Sequence, residues 1–180
     1  RNFLPTDYFF LNGAWWYVGL SVQLYVIFPW LIRLGQRYGW SQLLLSSLAV
    51  SWLYRGGVIA LIQDPKVMDR LIRGAIFPSR LFEFVLGITL AIALLHPKSS
   101  PILTWLRNMM FHRKLLSVSI VFYGAGLFCA WTALPHHNIL LIPADALIGI
   151  GEFCLLFQLL SVFPWDLSLL NWLGDRSYGI

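Results

Sequence analysis

Charge is scarce in this chain of 180 residues. Only 12% of the residues are Asp, Glu, Lys or Arg, whereas an average soluble domain carries about 25%. Hydrophobic residues make up 58% of the sequence, and the mean hydropathy is +0.70. This balance excludes an ordinary soluble domain, and we predict an integral membrane protein whose main partner is the lipid bilayer.

Cysteine is scarce too, with two in the sequence. Cys129 and Cys154 both lie inside apolar runs, where a free cysteine behaves as a small hydrophobic side chain. We therefore predict two core thiols rather than a disulfide. The two cysteines do not decide between an oxidising and a reducing compartment.

Residue sets that carry familiar chemistry are missing. The sequence shows no Ser/His/Asp set, no carboxylate pair at a defined spacing and no glycine loop for a phosphate. His136 and His137 are adjacent, which is not the spacing of a helical metal site, so we interpret them as part of a polar turn. The net charge of +5 comes without a basic stripe or a nucleic-acid-binding motif. We expect no metal, no bound cofactor and no nucleic-acid partner.

Long apolar stretches are what the sequence has instead. A helix needs about 20 mostly apolar residues to cross a bilayer, and Trp and Tyr favour its interfaces. We predict an all-α fold, a polytopic transmembrane helix bundle of about five spans plus the start of a sixth. The predicted spans are 13–34, 40–60, 78–95, 115–134 and 144–163, with a truncated helix from 174. We expect residues 1–180 to be one partial domain, a fragment of a larger bundle.

The connections between the predicted spans differ in polarity. Residues 35–40 contain two Gly and an Arg and predict a loop. Residues 63–79 form the longest polar connection, and their middle has the pattern of an amphipathic surface helix. Residues 101–114 are too short and too charged to cross, which indicates an interfacial helix. Gly124 and Gly126 mark places where another helix can approach the fourth span closely.

Gln23 lies near the middle of the first span. On a helix it shares nearly one face with Trp16, Leu20 and Ile27. A buried amide in lipid must find hydrogen-bond partners, so this face points towards protein or a cavity. Two interpretations stay open, since Gln23 either joins two helices or binds a ligand.

Three charged residues interrupt the second and fifth spans. Arg55 either faces the bundle interior, as intramembrane charges usually do, or ends its helix and extends to the interface. Asp145 suits the first turn of a helix. Glu152 lies deep in its span, so we predict that it is protonated or paired with a residue such as Arg55.

Arg80 and Glu83 stand at the start of the third span. They are three residues apart, so they share a helix face and can interact. The apolar run that follows is too short to cross alone, which draws both groups towards the membrane. They form either an ion pair that orients two helices or a pair that lines a cavity.

Three stretches, in this order, follow patterns known from one protein family. Trp16 to Pro29 reads WYVGLSVQLYVIFP, close to W-S-L-S-V-E-E-Q-F-Y-L-L-W-P. Arg80 to Gly87 reads RLFEFVLG, close to R-x-x-E-F-x-x-G, and Leu173 to Ile180 reads LGDRSYGI, close to L-G-x-x-S-Y-G-I-Y-L. The set resembles acyltransferase family 3, the polytopic membrane O-acyltransferases. The family's paired glutamates are Ser21 and Val22 here.

The resemblance implies transfer of an acyl group, commonly acetyl, from a cytoplasmic acyl-CoA to a hydroxyl of a cell-surface carbohydrate or a similar acceptor. It implies a bacterial inner membrane protein with acyl-CoA as donor substrate. The residues it points to for substrate binding are Trp16, Gln23, Tyr25, Arg80 and Glu83. The family's histidine and arginine belong to earlier helices, so we expect the catalytic base to lie outside this fragment.

Two other classes of protein stay open. A transporter or exporter of a polar or sugar-like substrate also carries Arg, Glu and Gln inside the membrane, although no internal repeat occurs in this sequence. A structural subunit would pair all its polar groups between helices. The residues by themselves support a helix bundle with a few buried polar groups, and enzymatic function rests on the resemblance.

Positive charge predicts the orientation of the bundle. If the spans alternate, one side holds Arg33, Arg37, Lys98, Arg107, Arg113, Lys114 and Arg176, and the other holds Arg1, Lys66, Arg70 and Arg73, with Arg55 and Arg80 inside the membrane. The positive-inside rule then places residues 96–114 in the cytoplasm.

This orientation is tested by a cysteine at Ser99 in a variant that lacks Cys129 and Cys154. We expect that cysteine to resist a membrane-impermeant thiol reagent added to intact cells and to react once the cells are opened. Reaction from outside intact cells would reverse the orientation.

Overall fold

The computed structural model describes residues 15–95, 100–110, 115–133 and 138–162. Over these ranges the chain is helical and contains no strand, so the all-α prediction is confirmed there. The helices are α1 (Trp15–Tyr38), α2 (Trp40–Leu61), α3 (Pro65–Arg70), α4 (Leu81–Leu95), α5 (Pro101–Met110), α6 (Leu115–Ala133) and α7 (Leu141–Val162). Shorter turns are the π-type Leu71–Ala75 and the 3-10 turns Phe77–Arg80 and Asn138–Leu140.

Three of the described helices are long and apolar enough to cross a membrane. They are α1 over Tyr17–Tyr38, α2 and α6, and they indicate a membrane protein. Helices also occupy the two other predicted stretches, as α4 and α7. Helix α4 has 15 residues, or about 22 Å of rise, which is shorter than a hydrocarbon core of about 30 Å.

The first connection is a single residue. We predicted a loop over 35–40, and this is wrong because α1 continues to Tyr38 and α2 begins at Trp40. Gly39 reverses the chain with a φ of 96°, a conformation that favours glycine. Gly35 serves packing instead, since a Cβ there would lie 2.5 Å from the Trp40 ring.

The connection from α2 to α4 turns into the bundle. The predicted surface helix begins as α3 and continues into the π-type turn Leu71–Ala75, but this last part turns inward, so the expectation of a surface position is wrong there. Gly74 has a φ of 128° and breaks the helical path. Ile72 and Ala75 are buried, and their turn packs against α1 and α2. The chain therefore returns to the bundle before α4 starts.

Helices α6 and α7 form a closely packed hairpin. A Cβ on Gly126 would lie 2.8 Å from the backbone nitrogen of Ile148, and one on Gly151 would lie 2.6 Å from that of Tyr123. These contacts leave no room for a side chain. Among the described residues, the predicted close approach is confirmed at Gly126 and wrong at Gly124, where no atom of another described element lies within 4 Å of the Cβ position.

The two glycines of α6 give a matched test of this packing. Gly126→Ala should lower the free energy of unfolding by about 1–3 kcal/mol because the backbones must separate. Gly124→Ala should be neutral or slightly stabilising, since alanine favours the helix. Denaturation of the purified protein in detergent measures both. Equal effects of the two variants would contradict the packing.

The bundle contains an extended apolar core and a separate cluster of charged residues. One buried core joins the end of α1, the start of α2, the whole length of α4, α5 and the start of α6; its members are Leu31, Trp40, Leu43, Leu81, Val85, Ile88, Ala93, Leu103 and Leu115. Near the other end, the last third of α2 meets the starts of α4 and α7. Four charged residues gather at that second end, namely Arg55, Arg80, Glu83 and Asp145.

Candidate functional site

Arg55 is the centre of the polar end. It is 2% exposed and α2 continues for six residues beyond it, to Leu61, so the alternative in which the helix ends there is wrong. Its guanidinium donates to the carbonyl oxygens of Leu141 at 3.0 Å and Ser79 at 2.9 Å. It also binds the carboxylate of Asp145. One side chain thus ties α2 to the turn before α4 and to α7.

Asp145 is shared by two arginines. Its Oδ2 accepts from Arg55 Nη2 and lies 3.0 Å from Arg80 Nη1. The predicted pairing of Glu152 with Arg55 is wrong, since Glu152 is exposed and Asp145 occupies the guanidinium. Asp145 lies at the start of the second turn of α7, level with Arg55, whereas Glu152 lies about 10 Å further along the helix. From the sequence we placed Asp145 only in the first turn of a helix, and we did not predict its ion pairs with Arg55 and Arg80.

Arg80 and Glu83 interact as their spacing predicts. Arg80 Nη1 lies 3.7 Å from Glu83 Oε1, in addition to its contact with Asp145. The other carboxylate oxygen of Glu83, Oε2, is buried and has no hydrogen-bond partner among the described residues. A buried acceptor without a hydrogen bond lowers the stability of a closed core. Beside a cleft, the same oxygen can accept a hydrogen bond from a ligand.

Gln23 holds the turn that precedes α4. Its Nε2 donates to the carbonyl oxygen of Ala75 at 3.4 Å, and its Oε1 accepts from the backbone nitrogen of Phe77 at 3.0 Å. Of the two interpretations drawn from the sequence, these contacts match the one in which Gln23 joins two elements. The amide fixes the backbone three residues before Arg80.

A cleft opens beside Glu83, between α1 and α7 with α4 as its floor. Its volume is about 300 Å³. The lining residues are Tyr25, Phe28, Glu83, Phe84, Gly87, Ile88 and Phe153. The rings of Phe28 and Phe84 meet edge to face, with centroids 6.2 Å apart. The wall is therefore mostly apolar, with one carboxylate.

The cleft joins two of the three stretches singled out in the sequence. Tyr25 and Phe28 belong to the stretch 16–29, and Glu83 and Phe84 belong to 80–87. No family model, curated protein or solved structure matches the chain. The site is thus interpreted from its own geometry and from the resemblance of those stretches.

Of the other residues predicted for the site, the structure describes the side chain of Tyr25 but not that of Trp16. Tyr25 is 69% exposed and stands on one wall of the cleft. The backbone of Trp16 belongs to the first turn of α1, and its side chain lies outside the described residues. The third stretch, 173–180, also lies outside them, as do His136 and His137.

Metal ligands do not cluster in the part of the chain that the structure describes. No group of three or more His, Cys, Asp or Glu there is placed to hold an ion. Asp145 and Glu83 each face an arginine instead. What the arrangement offers is a pair of guanidinium groups fixed by carboxylates, next to an apolar cleft.

Proposed function

We propose that the protein is an integral-membrane O-acyltransferase. It transfers an acyl group, most simply acetyl, from a cytoplasmic acyl-CoA to a hydroxyl of a cell-surface carbohydrate. In this proposal α4 with its preceding turn and α7 complete a bundle of about five spans with α1, α2 and α6, in a bacterial inner membrane. The cleft beside Glu83 receives the acceptor.

One observation carries the proposal. Residues 16–29 and 80–87 are some fifty positions apart in the sequence, and each resembles a different motif of the same family. In the fold they line one cleft, the first stretch as a wall and the second as the floor. Coincidental likenesses at two unrelated places have no reason to meet in space, whereas two motifs of one active site do.

The chemistry of acyl transfer suits an arginine beside such a cleft. The acceptor oxygen forms a bond to the thioester carbonyl carbon, the carbon–sulfur bond breaks, and CoA leaves as its thiol. The acceptor proton passes to a general base. Arg80 has the forked geometry that binds sugar oxygens or a developing oxyanion. Asp145 and Glu83 fix its direction.

A transfer assay tests the proposal. Membranes that contain the full-length protein are supplied with acetyl-CoA labelled in its acetyl group and with surface polysaccharide extracted from the same cells. We expect the label to enter the polysaccharide and to be released by mild alkali, as an ester is. Membranes from cells that lack the protein are the control.

A different outcome would favour the transporter interpretation. If sealed vesicles accumulate unmodified saccharide in a protein-dependent way and no alkali-labile label appears, the acyltransferase proposal is overturned. Transfer at the same rate in membranes with and without the protein would overturn it as well.

A further inference from the structure

Glu152 takes no part in the network that pairs the buried charges of the bundle. Arg55 and Arg80 are balanced by Glu83 and Asp145, all within one contact network. Glu152 is exposed and has neither an ion pair nor a hydrogen bond within residues 15–95, 100–110, 115–133 and 138–162. It is an acid with no counterpart in the described bundle.

The position of Glu152 is at membrane depth. Its neighbour Gly151 packs against the backbone of Tyr123. Tyr123 lies near the middle of α6, one of the helices that can cross a membrane. Glu152 is also central in α7, eleven residues after Leu141 and ten before Val162. With α6 as a membrane span, the carboxyl group lies close to the mid-plane of the bilayer.

The face of α7 that carries Glu152 is partly covered and partly open. Asp145, Gly149 and Glu152 follow one another at helical spacing on nearly one side. Asp145 binds the two arginines, and a Cβ on Gly149 would lie 3.0 Å from the Cγ of Glu83. Further along, Phe153 lies against Gly87, a residue without a side chain. Helix α4 therefore runs alongside α7 past this level, and the Glu152 side chain nevertheless stays exposed.

An acid in this place calls for a protein partner. Ionisable side chains at the centre of a bilayer are costly and face protein or a water-filled cavity, where they pair with a group of opposite charge. The residues beside Glu152 are apolar, and Tyr25 on the other side of the cleft is 69% exposed. This surface suits an apolar helix better than a soluble domain.

We infer that the face of α7 around Glu152 binds a further membrane-spanning helix, one that carries a basic side chain at mid-membrane depth. The basic group pairs with Glu152, and the helix closes the lipid side of the cleft. The inference stands on the unpaired acid and its depth, so it does not require acyl transfer.

Photo-cross-linking in native membranes tests this inference. The full-length protein carries p-benzoylphenylalanine in place of Phe153, and mass spectrometry identifies what it captures. Products within α1 to α7 are set aside, because Phe153 already lies against Gly87 of α4. Beyond them, we expect an apolar helix with Lys, Arg or His within about one turn of the captured residue. In a second protein that also carries Glu152→Gln, the yield of this product should fall about tenfold, the scale of a polar contact between helices in lipid.

The matched control carries the same photoreactive residue at Val121. Val121 is 67% exposed on α6, and we expect it to capture mainly lipid, with no change on Glu152→Gln. The inference is overturned if position 153 also captures only lipid. It is equally overturned if the captured helix has no basic residue, or if the captured segment is the same face of a second copy of this protein. A yield that Glu152→Gln leaves unchanged would overturn it too.

Discussion

Replacing Asp145 by alanine is expected to destabilise the protein by about 3–5 kcal/mol, the cost of leaving a buried charge without its partner. Arg55 is 2% exposed and cannot turn to solvent. After the replacement its guanidinium keeps only the two carbonyl oxygens of Leu141 and Ser79. Arg80 loses its closer carboxylate as well. One substitution therefore weakens the contacts that join α2, α4 and α7.

Denaturation of the purified protein in detergent measures the effect. The control is Asp64→Ala, which removes an exposed acid whose side chain accepts from the Lys66 backbone nitrogen at 2.9 Å. That residue caps only the short helix α3, so we expect a loss of about 1 kcal/mol. A loss at Asp145 no larger than the loss at Asp64 would show that the buried network does not hold the bundle together.

Replacing Arg80 by lysine is expected to reduce acyl transfer about 10- to 100-fold while the fold is kept. Lysine preserves the charge opposite Asp145 and Glu83, so the bundle remains paired. It lacks the planar fork of donors that can bind two oxygens at once. The loss of one directed donor to a developing negative charge is of this order or larger.

The assay is the transfer of labelled acetyl groups to surface polysaccharide, at equal amounts of membrane-inserted protein. The control is Arg33→Lys, because Arg33 is exposed in α1 and is not among the residues that line the cleft. We expect its activity to stay within about twofold of wild type. Undiminished transfer by the Arg80 variant would leave Arg80 with only the structural role of an ion pair.

Long apolar runs made the helices predictable. Membrane helices must be long and apolar to be stable in lipid, so the helices of the described chain begin and end within a few residues of the predicted spans. The main error came from Gly35. In sequence it looks like the start of a loop, whereas in the fold its missing side chain gives room to the Trp40 ring, and α1 continues.

The site was predictable only in part, and the reason differs between residues. The spacing of Arg80 and Glu83 was sufficient to predict their contact, because both lie on one helix. The partner of Arg55 was not predictable in this way, because Asp145 and Glu152 lie seven residues apart on one face of α7. Which of the two acids pairs with Arg55 depends on the height at which α2 packs against α7. That height is set by the packing of the whole bundle and cannot be read from the sequence.

Gln23 shows a second limit of sequence reasoning. Its amide binds backbone atoms of Ala75 and Phe77, and backbone partners leave no trace in the side-chain pattern. The stretch 67–77 looked like a surface helix. Its inward turn depends on the positive φ of Gly74, which became visible only in the fold.

The most direct test of the account is a cross-link that closes the cleft. Phe28 and Phe84 meet across it, with ring centroids 6.2 Å apart. Both are replaced by cysteine in full-length protein that lacks Cys129 and Cys154, and a short bifunctional thiol reagent joins them through reducible bonds. We expect acyl transfer to stop when the link forms and to return when it is reduced, while each single cysteine variant stays active under the same treatment. A linked protein that transfers acyl groups at an undiminished rate would contradict the account, and so would a pair that cannot be linked.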